Sequence, residues 1–117
     1  MLVIQAKFKQ TETGDFLSFE MDGHAESGPY GYDIVCAAAS ALSINTINSI
    51  NELADYTPIY EMESGYLYFE RLDSLSDKQI DITNLLVHSL LIGLRSIEAD
   101  NQAFIQVKLS QGGANLC

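Results

Sequence analysis

The stretch GHAESGPYGYDIVCAAAS, residues 23–40, decides the fold. An alternating apolar pattern stops at its left end, at Gly23. Its middle, residues 25–32, carries Gly28, Pro29 and Gly31 and reads as a loop. Its right end opens a long apolar run, for which Asp33 has the chemistry of an N-cap and which predicts a helix to about Asp55. Strand, loop, helix is therefore the local order. The first turns, IVCAAASAL, are apolar on nearly every side, which predicts a helix start buried between other elements.

Working outward, Leu2, Ile4, Ala6 and Phe8 alternate as a strand, and Thr13-Gly14-Asp15 forms a turn. Leu17, Phe19 and Met21 alternate again, so the first two strands make a hairpin. Beyond the first helix, residues 58–63 and 66–72 flank Ser64-Gly65 and read as a second hairpin. Ser74 to Asp77 open a second helix that runs to about Ala99, with Leu86, Val87, Leu90, Leu94 and Ile97 as its core stripe. Ile105, Val107 and Leu109 alternate in a last strand. The order ββαββαβ means an α+β domain, two long helices packed on a mostly antiparallel sheet.

The chain has 117 residues, which suits a single domain over 1–117. No uninterrupted apolar run approaches the ~20 residues of a membrane span. The start, MLVIQAKFKQ, reads as a strand rather than a targeting segment, so the expected location is the cytoplasm and no membrane partner is expected. Sixteen acidic residues against six basic ones give a net charge of -10, which argues against nucleic acid. That charge serves solubility, and it equally suits attraction to a basic protein. Cys36 and Cys117 lack the spacing of zinc ligands, and Cys117 ends the chain after a polar stretch.

Cys36 lies three residues past the proposed cap, where unpaired N–H groups and the helix dipole favour an anion. The thiolate is the reactive form of cysteine. The dipole supplies about 0.3–1 kcal/mol and at most ~2, against about 1.4 kcal/mol per pKa unit. A nearby imidazolium must therefore provide the rest. His24, at the end of the second strand, is the candidate. A Cys–His pair supplies a nucleophile and a proton for a leaving amine. The same helix start offers backbone N–H donors, that of Cys36 among them, to an oxyanion. Asp33 has two roles open to it: a cap whose charge opposes a thiolate, or an orienting partner for His24. Ser40, one turn beyond Cys36, either hydrogen-bonds to the sulfur or bonds back to the helix carbonyls.

Each of these residues also has a structural reading. A cysteine in an apolar helix is an ordinary small core residue, and a strand-end histidine is ordinarily structural. His88 falls on the polar face of the second helix with Asp81, Asn84 and Arg95. Leu85 and Ile92 lie off the core stripe, beside Ser89 and Ser96, and either cover another element or meet their copies in a two-fold dimer. There is no HExxH, GxSxG or Walker loop. A metal site on His24 and Cys36 has too few ligands, and the proposed chemistry uses no metal or cofactor.

The same 18-residue stretch resembles the signature of the bacterial ribosomal-processing cysteine protease family Prp: GHA, a glycine-containing loop, then DIVCAAVS. Ala39 stands here where that pattern has valine. The resemblance implies that His24 and Cys36 are a catalytic dyad, with Asp33 and Ser40 in supporting positions. It implies removal of a short N-terminal extension from large-subunit ribosomal protein L twenty-seven, cut after paired phenylalanines, and it implies a homodimer. A basic substrate suits the charge of -10. An apolar extension needs an apolar groove, for which Tyr30 and Tyr32 are candidate walls. Residues 25–32 are expected to act as a mobile lid, with Gly28 and Gly31 letting it open. The rival expectation is a non-catalytic acidic dimeric module that binds a basic ribosomal protein during ribosome assembly.

Overall fold

The structure, a computed structural model, describes residues 3–24 and 30–112, with His24 and Tyr30 described by backbone alone. The elements are β1 (Ile4–Gln10), β2 (Phe16–His24), α1 (Tyr30–Leu53), β3 (Ile59–Glu63), β4 (Gly65–Glu70), α2 (Asp77–Asp100) and β5 (Ile105–Gln111). The expected ββαββαβ order and α+β class hold. One sheet runs β3-β4-β2-β1-β5. Every neighbouring pair is antiparallel except β1 and β5, which are parallel, with Ile4 opposite Ile105.

Alternation along the strands sorts the two faces. Ile4, Ala6 and Phe8 of β1, Phe19 and Met21 of β2, Leu67 and Phe69 of β4 and Ile105 of β5 are all buried on the face that the helices cover. Stacked rings of Phe8, Phe19 and Phe69 cross the middle of that face, with centroids 5.6 and 4.9 Å apart. The opposite face carries Lys7, Lys9, Glu20 and Lys108 at the positions between.

Each helix buries one stripe. For α1 the stripe includes Tyr32, Val35, Ala39, Ser43, Ile47 and Ile50, and for α2 it includes Thr83, Val87, Leu90, Leu91 and Leu94. Leu86 and Ile97 pack against this core from its margin. Both helices reach the mean hydropathy of a membrane span, 1.2 and 1.3, although neither contains an uninterrupted apolar run of that length. Here the apolar stripes lie on the sheet.

The start of α1 is not enclosed on all sides as expected. Ile34, Ala37 and Ala41 face outward, because among the described residues the sheet meets α1 below and α2 flanks it on one side. Leu85 and Ile92 are 71% and 57% exposed, so they cover no other described element. His88 is exposed as expected, its ring 5.9 Å from that of Phe16. Asn84 differs from expectation. It accepts from the Phe16 N–H at 2.8 Å and donates to Asp15 at 2.9 Å, tying α2 to the start of β2.

A capping box starts α2: Ser76 accepts from the Gln79 N–H, and the Gln79 side chain accepts from the Ser76 N–H. The Gln79 amide also donates to the Ala54 carbonyl at 3.0 Å, just past the end of α1. Below the helices, Tyr56 and Thr83 share a buried hydroxyl–hydroxyl hydrogen bond of 2.8 Å. Thr83→Val leaves the Tyr56 hydroxyl without that partner and should lower stability by about 1–2 kcal/mol. Adding Tyr56→Phe should recover part of the loss, as read by chemical denaturation.

Candidate active site

β2 delivers His24, its last residue, and the chain enters α1 at Tyr30. Gly23 shapes that delivery. Its φ is +99°, and the pairing of β2 with β4 shifts register between Asp22 and His24. A side chain at Gly23 would stand 2.6 Å from the Val3 carbonyl oxygen, so β1 and β2 close this tightly only over glycine.

α1 begins four residues earlier than expected. Asp33 is thus in the first turn rather than at the cap, and it is exposed. Gly31 and Tyr32 belong to the helix rather than to a lid. A Cβ on Gly31 would meet the Phe104 ring at 3.1 Å. The fully buried Tyr32 ring lies edge-on to Phe104, with centroids 6.3 Å apart. Tyr32 is therefore core, not a groove wall. Gly28 and the rest of residues 25–29, the Tyr30 side chain and Cys117 lie outside the described residues.

The earlier start also moves Cys36. It is the seventh residue of α1 counted from Tyr30, beyond the first turn of the helix. Its own N–H falls within the helical ladder, so it is not a free oxyanion donor. The dipole argument weakens in the same way, since that effect fades after the first turn. What acts on the sulfur instead is local. Burial pushes the Cys36 thiol up from its ordinary value, Ser40's side chain hydrogen-bonds to it and pulls it down, and the Asp33 carboxylate pushes it up again. Of the two roles left open for Ser40, the lowering of the Cys36 thiol favours the bond to sulfur.

The height of Cys36 above the sheet follows from one contact. The buried Ser43 hydroxyl donates to the Met21 sulfur at 3.4 Å, fixing where α1 sits along β2. Seven residues back up the helix is about 10 Å. Three residues onward along β2, from Met21 to His24, is also about 10 Å. Cys36 and His24 thus lie about equally far along their own elements from the Ser43–Met21 contact, each toward the end where β2 gives way to α1. Ser43 escaped the sequence reading. The available signal was a hydroxyl in the middle of an apolar stripe, a position that needs a partner.

A family model for the cysteine protease Prp matches residues 3–106. The chain belongs to the Prp family of cysteine proteases. The ribosomal processing cysteine protease Prp of Bacillus subtilis is 33% identical over 107 residues, 90% of this chain and 96% of that one. A Streptococcus mutans crystal structure superposes with a TM-score of 0.83 at 36% identity, covering 93% of this chain and 95% of that one. The Prp of Staphylococcus aureus, solved with a substrate peptide, gives 0.80 at 27% identity over 92% of this chain and all of that one. Membership in Prp removes the rival of a module without catalysis.

The electrostatics of Cys36 give signed expectations. Asp33→Asn removes a charge that favours the thiol, so it lowers the thiol pKa and raises the thiolate fraction at neutral pH. Ser40→Ala removes a donor to the thiolate and does the opposite. Iodoacetamide alkylation at neutral pH, in a Cys117→Ser background, should run about two- to tenfold faster in the first variant and slower in the second. Gly23→Ala should cost about 1–3 kcal/mol in stability, read by thermal denaturation.

Proposed function

We propose that this Prp family member is a cytoplasmic endopeptidase. It removes the N-terminal extension of large-subunit ribosomal protein L twenty-seven through Cys36 and His24. What supports the reading is the Ser43–Met21 contact, from which Cys36 and His24 each lie about 10 Å along their own elements toward the end where β2 gives way to α1. A relative from Staphylococcus aureus, solved with a substrate peptide, supports a polypeptide as the substrate. The net charge of -10 suits a basic ribosomal protein.

The resting sulfur is a thiol in this scheme, since burial and Asp33 both favour the protonated form. His24 takes the proton as the sulfur attacks the scissile carbonyl. The Ser40 hydroxyl steadies the thiolate as it forms. The imidazolium then gives its proton to the departing amine, and the C–N bond breaks to leave an acyl-enzyme. Neutral His24 next draws a proton from water, the hydroxide adds to the thioester carbonyl, and the thiolate leaves and is reprotonated. Leu85 and Ile92, exposed on α2, are the proposed contact of a homodimer, which Leu85→Lys should convert to monomer in sedimentation.

Incubation of the purified chain with the full-length ribosomal protein, followed by mass spectrometry, tests the reading. One new N-terminus after the paired phenylalanines is expected. Cys36→Ala should abolish the cut, and His24→Ala should slow it by about 10²-fold or more. An intact substrate after prolonged incubation with the wild-type chain refutes the proposal.

A further inference from the structure

We propose that the channel between one flank of α1 and strand β3 seats the apolar arm of the extended polypeptide substrate, with Ile44, Tyr60 and Met62 as its contacts. This rests on the proposed function and adds the surface that reads the substrate away from the cut.

The flank is identified from packing. On one side of α1, Leu42 lies against Gly93 of α2, where an added Cβ would stand 3.2 Å from its methyl group. The opposite side carries Cys36, Ser40 and Ile44, spaced by four; α2 packs on β5 and β2, which leaves this side of α1 toward the β4–β3 edge of the sheet. β3 is the edge strand there. Tyr60 pairs with Phe69 and Met62 with Leu67, so all four side chains project on the helix side. Phe69 and Leu67 are buried, whereas Tyr60 and Met62 are 50% and 42% exposed. Ile44 across from them is 38% exposed. At the far end the Asn51 amide donates to the Thr57 hydroxyl at 3.3 Å and joins α1 to the segment before β3.

Position gives the channel its reading frame. Met62 and Met21 both pair with Leu67, and Met21 holds Ser43, so Met62 is level with Ser43 and Ile44. Ile44 is eight residues beyond Cys36, about 12 Å along the helix. An extended peptide covers that in about four residues. The channel therefore meets side chains about three to four positions from the scissile bond.

Two arguments select the occupant. Aromatic and thioether side chains left open on an edge strand invite unwanted pairing unless a ligand uses them, and methionine adapts to varied apolar partners. The channel is also continuous with the α1 stripe that bears the nucleophilic sulfur candidate. A second copy of the chain seated there would bar polypeptide from Cys36, so the substrate fits and a self-association partner does not.

Steady-state kinetics on two substrates decide the matter: the full-length ribosomal protein, and a short peptide with two residues on each side of the same cut. Met62→Asp and Tyr60→Ser, both at exposed positions, should raise KM for the full-length protein about 10- to 100-fold. Their kcat should stay within about twofold, and the short peptide should be cut as by wild type. Unchanged KM for the full-length protein, an equal loss on both substrates, or conversion of a dimer to monomer by Met62→Asp overturns the assignment. Cleavage by the wild-type chain is scored separately. If it cuts neither substrate, the proposed function itself fails and the channel assignment falls with it.

Discussion

The placement of α1 along β2 is the constraint on which the rest depends. A helix lying on a sheet can slide in steps of one turn, and a slide of that size would carry Cys36 past His24. Two contacts prevent it. The Ser43 hydroxyl is held on the Met21 sulfur in the core, and Gly31 lets the first turn rest against Phe104. Both use small residues where a larger one would lift the helix. Tyr32, fully buried beside Phe104, anchors the same end with a large ring.

That anchoring has an electrostatic counterpart. Moving Cys36 out of the first turn removes most of the help a helix dipole gives to a thiolate, and partial burial raises the thiol further. In an acidic chain with Asp33 close by, a permanent thiolate is disfavoured. In the proposed scheme the nucleophile is therefore made on demand, by a base that takes the proton when substrate is present. An unpaired sulfur held as a thiol is also less open to oxidation, since thiolate character governs that chemistry.

Much of this was legible beforehand, for reasons that differ by element. The strands and α2 have strict periodicity, and their core positions Phe19, Met21, Val87, Leu90 and Leu94 fell where alternation and helical phase put them. The start of α1 was misread because Gly28-Pro29-Tyr30-Gly31 has loop chemistry. Gly31 is in the helix because of its closeness to Phe104, a residue 73 positions away in sequence, and no local pattern encodes that. Asp33 looked like a cap for the same reason. Cys36 and His24 stood out by chemistry and by the resemblance of their surroundings. Ser40 stayed undecided between two bonds, because sequence alone does not tell which partner its hydroxyl takes. Tyr60 and Met62 looked like ordinary hairpin residues, because alternation says which side a residue faces and not whether anything covers that side.

The seat of the helix start has a temporal side. Phe104 precedes β5, and β5 pairs with β1 across most of the chain, as in the contact of Gln5 with Gln106, 101 residues apart. During synthesis β1, β2 and α1 emerge first and can associate loosely. The cradle for Gly31 and Tyr32 exists only when nearly the whole polypeptide has left the ribosome. A nascent fragment of this chain carries both its sulfur and its imidazole long before the seat for the start of α1 exists.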